Sequence, residues 1–140
     1  MIKRTPLPDN IAVLLPKAEA YLRARTDIAF AYLFGGLANG HVRPLSDVDI
    51  AVYFSKEDNI AEKRLAVLGD LMRVLETDEI DLVILNTAPL TLKMKVLENK
   101  KIIADNDPFA RHRYESLTMR KYFDFSIKEM AILERRFVDD

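Results

Sequence analysis

Cysteine is absent from this 140-residue sequence, so disulfides, thiolate zinc sites and cysteine nucleophiles are excluded. Histidine is scarce as well: two residues leave little for a histidine metal cage, and any bound metal must be held mainly by carboxylates. Neither sign of charge dominates. Twenty-one Lys plus Arg stand against 22 Asp plus Glu, a net charge of -1, which argues against sequence-independent nucleic-acid binding through a basic surface. Apolar runs are short and broken by charges, so no membrane association is expected. The stretch from Met1 to Pro6 lacks the apolar core of a signal peptide, and a cytoplasmic protein is expected. Glycine is rare too, and three of the four glycines fall at 35, 36 and 40. No repeat, low-complexity tract or Gly/Ser linker divides the chain.

The remaining composition, 49% hydrophobic and 31% charged, is that of a soluble globular protein, and the length predicts one domain over 1–140. Apolar residues from Ile11 to Leu22 recur at helical spacing, with Pro16 expected to kink the helix or start a fresh turn. Ile28 to Phe34 is a compact apolar run ending at two glycines, as in a buried strand entering a tight turn. Val48, Ile50 and Val52 alternate with Asp47, Asp49, Ala51 and Tyr53, which is strand periodicity. Asn59 and Glu62 have the spacing of an N-cap and its reciprocal partner, ahead of a helix with Leu65, Leu68, Met72 and Leu75 on one face. A strand from Ile80 to Leu85, a short helix opened by Pro89, a brief strand at Ile102-Ile103 and a glycine-free helix from Pro108 to Val138 complete the order. The fold class predicted is α/β, a mixed sheet covered by helices.

Chemistry concentrates between Phe34 and Val52. Gly35 and Gly36 let backbone amides approach an anion closely, which makes a phosphate cradle if a phosphate binds and a plain turn if none does. Asp47 and Asp49, two apart on a strand, project from one face, and at about 6 to 7 Å they repel by about 2 to 3 kcal/mol at an effective dielectric of about 20. A cation relieves that repulsion, and an oxygen-only donor set points to Mg²⁺ or Mn²⁺. Asp81 interrupts another apolar strand, on the face opposite Ile80, Leu82 and Ile84. If the two strands are neighbours, three carboxylates converge as a two-metal phosphoryl or nucleotidyl transfer site requires.

Two glycines, ten intervening residues, the ending Ser46-Asp47-Val48-Asp49 and a third acid on a later strand resemble the signature of the DNA polymerase beta-like nucleotidyltransferase superfamily. The match is nearest to the minimal nucleotidyltransferases, the MNT or MntA-like antitoxins encoded beside HEPN-domain proteins. That resemblance implies a polymerase beta-like fold with a long C-terminal helix, and an antitoxin that uses ATP and Mg²⁺ to transfer AMP to a tyrosine of a HEPN ribonuclease toxin. It further implies that Asp47, Asp49 and Asp81 are the metal-binding and catalytic acids, and that Gly35, Gly36 and Ser46 belong to the nucleotide-binding turn. The sequence departs from the pattern at Gly36, where relatives usually carry serine, and at Asn39, where many carry arginine. A missing hydroxyl removes a hydrogen bond to the triphosphate worth about 1.5 to 3 kcal/mol. The alternative is therefore a module that neutralises its partner by contact alone.

Secondary features carry two readings each. His41 and Arg43 can reach a phosphate or an adenine, or be solvated loop residues. Lys93 and Lys95 can contact phosphate, though lysines late in a helix commonly serve the dipole. The final helix would span about 45 Å against a body about 30 Å across. Tyr114, Leu117, Tyr122 and Phe125 are expected to cover the sheet, while Phe123, Ile127, Met130, Leu133 and Phe137 form a second stripe for the first helix or another molecule.

Overall fold

The computed structural model describes residues 10–38 and 47–138. The order is α1 (Ile11–Ala24), β1 (Ile28–Phe34), α2 (Gly35–Ala38), β2 (Val48–Phe54), α3 (Ile60–Leu75), β3 (Ile80–Ile84), α4 (Leu90–Glu98), β4 (Lys101–Asp105) and α5 (Pro108–Val138). The four strands form one mixed sheet in the order β3-β2-β1-β4, with β1 antiparallel to both β2 and β4 and β2 parallel to β3. No helix among the described residues is long and apolar enough to cross a membrane.

Side-chain alternation splits the core in two. Leu33, Ile50 and Leu82 form one row across the sheet and face an aliphatic layer supplied by α1 and α3, including Leu14, Leu22, Leu71 and Leu75. The next row, Tyr32, Ala51 and Val83, faces the other way, onto Val96 of α4 and Ala110 and Tyr114 of α5. Aromatic packing dominates there: Phe30 stacks on Tyr53 with ring centroids 5.0 Å apart, and Tyr114 tilts against both at 5.4 and 5.2 Å.

Three local expectations need correction. Asn59 does not cap α3 with its side chain; it adopts left-handed backbone (φ 53°), and its carbonyl accepts the Lys63 amide at 2.9 Å. The αL turn removes the side chain from the geometry that a capping box needs. The packed face of α3 is Val67, Leu71 and Leu75, and Leu65, expected on it, is exposed; α1 runs through Pro16 to Ala24. On α5, Tyr114 covers the sheet as expected, but Leu117 and Phe125 are exposed and Tyr122 is half-buried.

Polar groups anchor the first half of α5. The Tyr32 hydroxyl donates to Glu115 at 2.6 Å, and Arg111 donates to Asp105 at 3.0 Å and to Glu115 at 3.2 Å. Burial, and then the Glu115 carboxylate, push the Tyr32 hydroxyl well above the ordinary phenol range, so it stays a proton donor. Beyond Thr118 no described side chain of α5 is buried, and Phe123, Ile127, Met130 and Leu133 stand in solvent. The second stripe therefore does not find cover on α1.

Candidate functional site

The row that ends the α4/α5 face of the sheet is Phe34, Asp49 and Asp81, in register across β1, β2 and β3. Residues paired across a ladder share a face, so the parallel pairing of β2 with β3 sets the two carboxylates side by side. Asp47 stands two residues ahead of Asp49, immediately before β2. Asp47 and Asp49 are half-buried and Asp81 is exposed. The apolar face of the same strands explains the placement. Val48, Ile50, Val52 and Leu82 are buried against α1 and α3, which leaves the intervening acids on the opposite side of the sheet.

Gly35 closes the site from β1. Its φ of +71° belongs to the left-handed region, and a Cβ built on it would overlap the Asp49 carboxylate, standing 3.2 Å from its Cγ. The strand end thus supplies both a sharp turn and the space that the Asp49 carboxylate fills. Gly36 has no positive φ and belongs to the single helical turn α2, whose Leu37 is buried in the aliphatic core. What reads in sequence as a bare glycine turn is a helical turn pinned by Leu37. Ser46, His41, Arg43 and Asn39 lie outside the described residues.

The donor set fits a hard divalent cation: carboxylate oxygens alone, on one face, beside a backbone turn that leaves room at Asp49. Among the described residues no three His, Asp or Glu side chains are drawn together tightly enough to hold an ion as they stand. Asp49 and Asp81 share a face by their pairing, and Asp47 immediately precedes the strand that carries Asp49.

Two cations near the site are placed differently from one another. Lys93 lies on α4 with its ammonium 5.6 Å from the centroid of the Tyr114 ring, a cation–π contact at the α4–α5 seam. Its placement is therefore structural, and Lys95 is exposed. Arg64, from the first turns of α3, lines a groove of about 650 Å³ that also contains Asp81. Sequence reasoning missed it, because Arg64 stands among other exposed charges on α3 and only the tertiary fold brings it to the β3 edge.

A family model described as "Polymerase beta, Nucleotidyltransferase" matches residues 16–109. No curated protein sequence matches the chain. Solved structures do. A chain of a toxin–antitoxin complex with AMP-PNP is 26% identical with a TM-score of 0.64, covering 91% of this chain and 97% of its own. A chain of the MntA–HepT toxin–antitoxin is also 26% identical with a TM-score of 0.64, over 88% and 96%. The third is from the tri-AMPylated Shewanella oneidensis HEPN toxin in complex with MNT antitoxin, at 25% identity and a TM-score of 0.65, over 89% and 96%.

Proposed function

Since this chain belongs to the polymerase beta nucleotidyltransferase family, we propose that it is a protein adenylyltransferase that moves AMP from ATP to a tyrosine of a HEPN ribonuclease toxin and so acts as its antitoxin. The observation that carries the reading is the paired row of Asp49 and Asp81, with Asp49 seated over Gly35. Its likeness to chains from MNT–HEPN complexes, one bearing an AMPylated toxin, supports the choice of acceptor.

In this reading Asp47, Asp49 and Asp81 would hold Mg²⁺, which would supply charge screening of the triphosphate and Lewis-acid activation of its α-phosphorus. Gly35 and Gly36 offer backbone amides to the phosphates. The tyrosine oxygen forms a bond to the α-phosphorus as the bond to the β-phosphate bridging oxygen breaks. Pyrophosphate leaves with the electron pair of that bond, and the phenolic proton passes to Asp81. The exposed stripe of α5, with Phe123, Ile127 and Met130, provides an apolar surface for the partner's helices.

One observation favours a second reading, neutralisation by contact alone: Gly36 presents no hydroxyl to a triphosphate. The two separate on incubation of this chain with labelled ATP, Mg²⁺ and a candidate HEPN partner. Added AMP mass on a partner tyrosine, lost in Asp49→Asn, is the expected result. An unmodified partner that is still inhibited by the folded chain would replace the transferase with the contact module.

A further inference from the structure

β3 stands at the margin of the sheet, with β2 on one side only. Its ladder runs through odd-numbered residues: the Val48 amide donates to the Glu79 carbonyl at 3.0 Å, and the Leu85 amide to the Val52 carbonyl at 2.8 Å. Backbone groups alternate along a parallel strand, so the amide and carbonyl of Leu82 and the amide of Ile84 point to the open side. The Ile84 carbonyl is already taken by the Thr87 amide, at 3.3 Å. Open edges are ordinarily blunted by proline, lysine, a bulge or a covering element. β3 has no proline or lysine, and its register is unbroken from Val48–Ile80 to Val52–Ile84.

That open edge lies in the groove of about 650 Å³. Ile60, Ala61 and Arg64 of α3 line it, as do Pro89 and Leu92 at the start of α4, and Asp81 belongs to the same groove. Arg64 is exposed and makes no hydrogen bond or ion pair with a described residue. The groove thus combines four features: a strip of main-chain donors and acceptors, apolar walls, one uncommitted cation and the third acid of the candidate site.

We propose that this groove is the acceptor-binding site, and that it takes an extended, acidic segment of the partner protein as a fifth strand on β3. The segment hydrogen-bonds to Leu82 and Ile84, sets an acidic side chain against Arg64 and brings its tyrosine hydroxyl to Asp81. Main-chain pairing supplies affinity in such strand addition, and the flanking side chains supply selection. The proposal rests on the adenylyltransferase reading for what the segment carries, whereas the strand pairing has its own readout. Continuity with the acidic row selects this occupant: a segment paired to Leu82 lies one residue, about 3.3 Å of rise, from Asp81.

Amide hydrogen exchange of the labelled full chain, read by NMR alone and with the unlabelled HEPN protein, tests the pairing. Leu82 and Ile84 amides are expected to slow at least ten-fold in the complex, while Val83, already bonded to β2, changes little. Unchanged exchange at Leu82 and Ile84 in a complex that still transfers AMP would overturn the groove and leave the transferase standing. Loss of transfer with the protection kept would overturn the transferase alone. Protection that grows with concentration in the absence of partner would assign the edge to a second copy of this chain and overturn the proposal. Arg64→Glu should raise the KM for the partner about ten-fold with kcat within two-fold, and Arg64→Lys should recover most of it. An unchanged KM in Arg64→Glu would remove the acidic-segment element.

Discussion

The two faces of β2 are built on opposite physics. Val48, Ile50, Val52 and Phe54 are at most 1% exposed and lie in the aliphatic layer under α1 and α3. Asp49, Ala51 and Tyr53 occupy the other face, and its first position, set opposite Asp81, carries a charge where the strand's partner also carries one. Burying each large aliphatic side chain contributes about 1.5 to 3 kcal/mol. With Asp81 exposed to solvent, the repulsion of the carboxylate pair costs no more than about 1 kcal/mol. One side chain's burial offsets the repulsion, so a strand secured on one face can hold like charges on the other.

Substitutions on the two faces should therefore differ sharply. Ile50→Ala removes a side chain 1% exposed and should cost about 2 to 5 kcal/mol in urea unfolding. Asp49→Asn should shift stability by less than about 1 kcal/mol while abolishing AMP transfer. Similar losses of stability from the two would break the comparison. Gly35→Ala comes next. The left-handed φ of +71° adds about 1 to 2 kcal/mol of strain, and the new methyl displaces the Asp49 carboxylate. A double-mutant cycle isolates the second part: Gly35→Ala should be milder in an Asp49→Ala background than in the wild type, and additive effects would show that the overlap carries no energy.

Alternation explains why the charged face was legible in the sequence. Val48, Ile50 and Val52 announce one buried face, and Asp47, Asp49 and Asp81 must then leave by the other. Whether β2 and β3 are neighbours was not legible, because pairing is decided by the connection through α3 and not by either strand alone. The same limit applies to α5. Periodicity found the stripe through Phe123, Ile127 and Met130, but spacing says which side of a helix is apolar and nothing of what covers it. Asn59 failed as a cap for a local reason, since a residue type suited to capping is equally suited to the left-handed turn it adopts. Arg64 carried no signal, being one exposed charge among several until the fold set it beside Asp81.

Gly36→Ser sharpens the comparison on the nucleotide side. Because Gly36 is helical, a side chain there meets no forbidden backbone angle, and stability should hold or rise by up to about 1 kcal/mol. The restored hydroxyl should tighten Mg-ATP binding about ten-fold in calorimetry. Unchanged affinity would show that the turn binds through its amides alone.

The smallest effect belongs to a carboxylate at the other end of β1, where charge serves stability. Arg25 grips Asp27 with two donors, Nε to Oδ1 at 2.9 Å and Nη2 to Oδ2 at 2.6 Å, and also donates to the Tyr21 hydroxyl at 3.1 Å. The Arg25 hydrogen bonds, against some desolvation, hold the Asp27 carboxyl below the ordinary carboxylate range. A depressed folded-state pKa means that the contribution is complete above the unfolded value near 3.9 and is lost as pH falls through the folded value. With the Asp27 side chain 30% exposed, solvent screening limits the pair to about 1 kcal/mol or less. Asp27→Asn should therefore melt below wild type at pH 7, and the gap should close as the pH is taken below about 4, where the wild-type carboxyl also becomes neutral. A gap that stays constant or widens on acidification would mean that Arg25 binds a neutral side chain equally well. Asp27 would then no longer be the ion-paired counterpart of Asp81, which has no ion pair with a described residue.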